Sequence, residues 1–283
     1  MPAPTGPQVG IDFLITAGGN TIGGRRGATL NLGSDTEDVT NADQNSWQET
    51  LNNLREWSIE ADALWLEGAT PAAISGQGAT FKVWNATLAP PAYEGPLHVR
   101  TITRDIAAGA IQIASQTTGR DPENLYGVRS VSASIDAYYV DPENNSALEQ
   151  LLAARAAGEA IDCKATWGGE GSELQANWTI ADLSIEAPYD EATTVSISLE
   201  SDGTVTQAGA NRDVGLDALL SAIFAEPPTD LAIVFKTAAT GATQWSGNTI
   251  LTQLSVEIPF DGAVNVSGIT RTGDGALTRG LTA

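Results

Sequence analysis

One histidine, His98, and one cysteine, Cys163, limit the chemistry open to this chain. A zinc site needs three or four His, Cys or carboxylate ligands, so these two residues supply neither a metal set nor a disulfide. His98 stands in the alternating run GPLHVRTIT and Cys163 in AIDCKATW. Both read as strand residues, the cysteine as a small packed side chain. A Ser–His–Asp arrangement would have to recruit His98, and no G-x-S-x-G elbow accompanies it. Asp and Glu together number 35, so neighbouring carboxylates occur throughout and single out no acid–base pair. The acidic runs DTED (35–38) and DPENN (141–145) could approach calcium. Neither has the spacing of a helix–loop–helix calcium loop, and solvated turns are expected. GGNTIGGRRG (18–27) is glycine-rich but lacks the Gly-Lys-Ser/Thr of a phosphate loop, and reads as a hairpin turn. The expectation is a protein without catalytic, cofactor or metal residues.

Charge narrows the field further. The net charge is −21 and the isoelectric point about 4.1. Such a surface repels phosphate backbones and anionic lipid, which argues against DNA reading and membrane binding. No stretch approaches the ~20 apolar residues of a membrane-spanning helix. The opening MPAPTGPQVG has neither the basic nor the apolar region of a secretory signal, and one cysteine suits a reducing cytoplasm. Hydrophobic residues make up 42% of the 283, enough for a sizeable core in one large or two ordinary domains.

The elements that must hold these residues are mostly strands. Alternation with period two runs through REWSIEADALWL (55–66), RSVSASIDAYYV (129–140), NWTIADLSIEA (177–187) and TILTQLSVEI (249–258). Two segments have helical spacing instead. NSALEQLLAARAAG (145–158) offers Ser146 as N-cap with Glu149 completing a capping box, Leu148, Leu151 and Leu152 on one face, and Gly158 as C-cap. DVGLDALLSAIFAEPP (213–228) offers Asp213 as cap, an apolar stripe of Leu216, Leu219, Leu220 and Ile223, and Pro227–Pro228 as stop.

The chain also repeats itself. LSIEAPYDEATTVSIS (183–198) and LSVEIPFDGAVNVSGI (254–269) centre on the same Pro–aromatic–Asp turn. Across 177–196 and 248–267, 9 of 20 positions are identical. Upstream, 49–66 and 123–140 share Glu, Leu, Arg, Ser, Asp and Ala at matched positions. The two upstream copies precede both downstream ones, an A A B B order rather than the A B A B of tandem duplication. Nesting explains it: a domain at 76–206 inserted into a discontinuous domain of 1–75 plus 207–283. The joins EGATPAAISGQGA (67–79) and SDGTVTQAGANRD (201–213) are small, polar and glycine-rich, as linkers should be.

With the repeats laid out, the first block resembles the major tail protein, or tail tube protein, family of long-tailed bacteriophages and gene transfer agents. The matching residues are Asp12 and Phe13 in the opening strand GIDFLI, then Asp38, Val39, Thr40, Trp47, Glu49, Leu54, Arg55 and Ser58. SLESDG (198–203) matches the family's late turn, and ITRTGDG (269–275) does so more loosely. The inner copy departs from the pattern, with Gln112, Ile113 and Ala114 in place of the DVT triplet and Asp121 in place of the tryptophan.

The resemblance implies a mainly β fold, sandwich- or barrel-like, with one flanking helix per copy. It implies a non-enzymatic virion protein, made in the bacterial host cytoplasm, that stacks as rings into a siphovirus-like tail tube. Double-stranded DNA would pass through the lumen without sequence-specific binding. Family members usually carry one domain per chain in six-fold rings, so a duplicated chain would close a pseudo-hexamer as a homotrimer. Tape measure, tail terminator and distal tail proteins become expected partners, besides the chain itself. The polar loop 33–53 would reach the next ring. Candidate contacts between rings or subunits are Asp38, Thr40, Asp43, Trp47, Glu49, Asp121, Glu123 and Tyr126. The alternatives are a tube terminator or distal cap and, from another class, a carbohydrate-binding β-sandwich using some of the seven tryptophans.

Overall fold

The computed structural model describes residues 14–38, 50–67, 72–73, 76–113, 123–141, 145–167, 172–208, 213–236 and 243–281. It is a mainly β structure in which one large antiparallel sheet carries nearly every strand. The chain opens with β1 (Leu14–Ala17) and β2 (Asn20–Thr21), which pair about a turn at Gly18–Gly19. Both glycines have positive φ (56° and 82°), which a turn this tight requires. The expected hairpin turn in this glycine-rich run is therefore present. Then come β3 (Arg25–Asp38), β4 (Thr50–Leu64), and the small pair β5 (Leu66–Glu67) and β6 (Ala72–Ala73).

The middle of the chain forms β7 (Thr80–Asn85), β8 (Ala92–Glu94), β9 (His98–Ile113), β10 (Glu123–Tyr138), helix α1 (Ser146–Ala157), β11 (Ile161–Trp167), β12 (Ser172–Glu186), β13 (Thr194–Ser201) and β14 (Thr206–Ala208). The last stretch holds helix α2 (Val214–Phe224), β15 (Leu231–Lys236), β16 (Thr243–Pro259) and β17 (Asn265–Leu281).

Pairing sorts these strands into two sets with one order. The middle of the chain gives β9-β10-β13-β12-β11-β7-β8, with β14 continuing β13 along β12. The ends of the chain give β3-β4-β17-β16-β15-β1-β2. Each strand of one set answers a strand of the other, and the sets meet where β16 pairs β9.

Alternation does what period two demands. In β4, Trp57, Ile59, Ala61 and Ala63 are buried while Glu56, Glu60 and Asp62 face out. Each helix covers the buried face of its own set: α1 lies on β7 and β12, and α2 on β1, β2 and β16. α2 buries Leu216, Leu219, Leu220 and Ile223, the expected stripe, and Asp213 caps it by accepting from the Leu216 N–H at 3.1 Å.

α1 buries Leu148 and Leu151 and ends at Gly158 in the left-handed conformation (φ 69°), as expected. Its N-cap differs from expectation. Asn145, not Ser146, takes the extended backbone and accepts from the Leu148 N–H. This moves the frame by one residue, so Glu149 falls outside the N3 position and no capping box forms. The expected polar loop 33–53 is also shorter, because β3 runs to Asp38 and β4 begins at Thr50, with Thr36 opposite Asn52.

Candidate assembly edges and the internal seam

The seam between the two sets is the most informative surface, because it shows how the edge of one strand set meets the edge of the other. β9 and β16 align antiparallel from Thr101 opposite Pro259 to Ala107 opposite Gln253. The Phe260 N–H carries the ladder one step further, to the Arg100 carbonyl at 2.8 Å. Ile102, Ile106, Leu254, Val256 and Ile258 are all buried along it. Burying five such side chains is worth on the order of 10 kcal/mol gross, before the entropy of ordering them.

Two further layers lock the seam. Trp65 and Trp167 meet edge to face at 5.4 Å, one from each set. Arg104 of β9 is buried over both rings, 5.9 and 5.5 Å from their centroids, and donates to Gln207. On the other side, Arg129 of β10 donates to the Ile223 and Ala225 carbonyls at the end of α2 and pairs with Glu226. A cation there meets the negative end of the helix dipole.

Tyr126 donates to the Thr229 carbonyl (3.2 Å) and accepts from the Leu251 N–H (3.1 Å). Asn124 donates from its backbone to Asp274 and from its amide to the Gly273 carbonyl. Arg271 lies fully buried, donating to the Thr249 hydroxyl and carbonyl. Burial lowers its pKa to about 10, while Tyr126 and Asp230 nearby act the other way.

Of the residues expected to contact neighbouring rings, Thr40, Asp43, Trp47, Glu49 and Asp121 lie outside the described residues. So do Asp12, Phe13 and Val39. Asp38 closes β3 opposite Thr50, and Glu123 opens β10 opposite Ile113. Asp38, Glu123 and Tyr126 therefore belong to the far ends of two equivalent hairpins, β3–β4 and β9–β10. The tip of the second carries exposed apolar side chains, Ile111 opposite Leu125, with Val128 nearby.

Sequence reasoning did not find the seam residues Arg104, Arg129 and Asn124. The available signal was two arginines inside alternating strands, where a lone cation on a buried face must find partners.

The residues weighed for chemistry are placed as follows. His98 is exposed in β9 opposite Tyr138. Cys163 is buried, and burial raises its thiol pKa, which makes it a packing residue rather than a nucleophile. Among the described residues no group of three His, Cys, Asp or Glu could hold a metal ion, and no helix is long and apolar enough to cross a membrane.

Comparison with known proteins gives three findings. No curated protein matches the chain. Similar solved structures include the tail of an empty gene transfer agent particle refined with C6 symmetry (16% identity, 46% of this chain and 95% of that one, TM-score 0.37). A chain of the native gene transfer agent virion (16%, 72% and 100%, 0.26) and the SPP1 tail tube (13%, 52% and 86%, 0.35) are also similar. The family model for phage tail tube proteins matches residues 73–207, which span β7 to β14. That segment, just under half of the chain, is similar to phage tail tube proteins, and the match supports a structural tail tube protein.

Proposed function

We propose that this chain builds the wall of a virion tail tube as stacked rings, each made of three chains carrying two tube domains apiece. One observation carries the reading. The strand order of the family-matched middle segment recurs in the strands from the two chain ends, and the two sets join edge to edge through β9 and β16. A sheet that already adds one copy of itself at an edge has the means to add more, and only closure removes the last free edges. On this reading the domains are 76–206 and the split 1–75 plus 207–283, and the protein is not an enzyme.

The hairpins β3–β4 and β9–β10 would reach the adjacent ring. Asp38, Thr40, Asp43, Trp47, Glu49, Asp121 and Glu123 lie at or beyond their ends, and Tyr126 ties the far end of the second to Thr229 and Leu251. The exposed Ile111, Leu125 and Val128 support that use. An acidic lumen would let DNA slide, since carboxylates repel phosphate. Tape measure, terminator and distal tail proteins would meet the ends of the tube.

Negative-stain microscopy with mass photometry of the purified chain tests this. Rings or tubes built on a three-chain unit are expected. A monodisperse monomer at all concentrations overturns the reading, and closed rings of six chains overturn the trimer.

A further inference from the structure

The internal seam predicts the external one residue by residue. β16 divides one side between two partners: Gln244–Thr249 pairs β15, and Gln253–Pro259 pairs β9. Its counterpart β12 uses the same side only for β11, through Ser172–Trp178. Among the described residues no strand pairs that side of β12 beyond Trp178. The segment 182–188 repeats 253–259 with Leu, Ser, Glu and Pro in the same places. Among the described residues β3, the counterpart of β9, pairs β4 alone. Its residues 27–33 stand opposite β4 as residues 101–107 stand opposite β10.

Exposure marks both segments as unfinished. At the internal seam Val256 and Ile106 are 0% and 1% exposed; their counterparts Ile185 and Leu32 are 48% and 59% exposed.

Resting on the ring reading above, we propose that residues 182–188 of one chain and 27–33 of the next form an antiparallel ladder in the register of the internal seam. The ladder runs from Asp182 opposite Gly33 to Pro188 opposite Gly27, with Leu183 on Leu32 and Ile185 on Leu30 at its centre. Two different edges meet, so the contact is head to tail, and it closes a ring rather than making a two-fold dimer. The occupant of each edge is a second copy of this chain. The edges match in length and apolar pattern, and the sheet already makes this contact once with itself.

The test is a disulfide across the ladder. Directly opposed residues of an antiparallel pair sit about 4.5–5.5 Å apart at Cα, within disulfide reach. Asn31→Cys with Ser184→Cys in one chain, oxidised after assembly, is expected to give covalently closed trimers on a non-reducing gel. Either change alone should give none, and Thr29→Cys with Ser184→Cys, two residues out of register, should give few. Cross-linking by a single variant, or rings that form without cross-linking the double variant, overturns the register while leaving the tube reading intact. Failure of the unaltered chain to form rings overturns the reading beneath it. Amide exchange on the unaltered protein is a second check: residues 27–33 and 182–188 should both slow on assembly, and unchanged exchange in either refutes the ladder.

Discussion

The two strand sets solve one packing problem with different side chains. In the set formed by the chain ends, the large ring comes from β4. Trp57 lies against Gly247 and Gly273 and donates to the Gly275 carbonyl at 3.1 Å. In the middle set the counterparts are Val131, Ala176 and Ser201, and the ring comes from β12 as Trp178, where β16 has Thr249. Bulk added on one strand is removed from the strand facing it. A close-packed interior enforces such compensation, since neither a void nor an overlap is tolerated. The two sets thus keep one strand order with different interior side chains, and each is committed to its own partners.

Exchanging residues between the sets tests this most severely. A Cβ at Gly273 would stand 2.2 Å from the Trp57 ring, so Gly273→Ala should destabilise the protein by about 3 kcal/mol in urea unfolding. At the equivalent place the middle set already carries a side chain. Ser201→Ala there should cost only about 1 kcal/mol, for the bond its hydroxyl accepts from the Val131 N–H. Trp57→Val should rescue Gly273→Ala, and a neutral Gly273→Ala would break the comparison outright.

Arg129→Ala comes next. It removes the tie between β10 and the end of α2, for an expected loss of about 2 kcal/mol and faster amide exchange in the last turn of α2. Unchanged exchange there would mean the sets hold together without it.

The smallest effect concerns Asp230, just before β15, where the middle set has Ala160 before β11. Burial raises the Asp230 pKa, helped by the hydrogen bond and charge of Asp274 and opposed by Arg271. A raised folded pKa means a contribution present at low pH and lost as pH rises through the folded value. Asp230→Asn should therefore raise the melting temperature by about 1–2 °C at pH 7 and flatten its fall above pH 4. A lower melting temperature at pH 7 would show that Arg271 needs this carboxylate.

Much of the secondary structure was legible because its signals are local. The alternating run 55–66 placed β4, and the stripe ending at Pro227 placed α2, since burial of one face writes its own period into the chain. Ser146 misled because two cap-competent residues stand side by side, and only the backbone angle of Asn145 separates them. The loop 33–53 was drawn too long because Gly33, Ser34 and Thr36 look like turn residues, yet their pairing with β4 carries the strand to Asp38. The meeting of β9 with β16 was not legible. Which edges meet depends on the placement of whole sheets, and no one-dimensional pattern records it.

The chain order has a consequence for synthesis. The middle strands find their partners within a contiguous stretch, so β7 to β14 can pair as soon as that stretch is made. β1 cannot, because Leu14 waits for Lys236, and Leu64 of β4 waits for Asn265. β1 and β4 are made well before these partners, which delays folding and leaves apolar strands bare meanwhile. Until β17 is made, β4 lacks one of its two partners, so the free edge of β3 is offered from a completed sheet only late in synthesis.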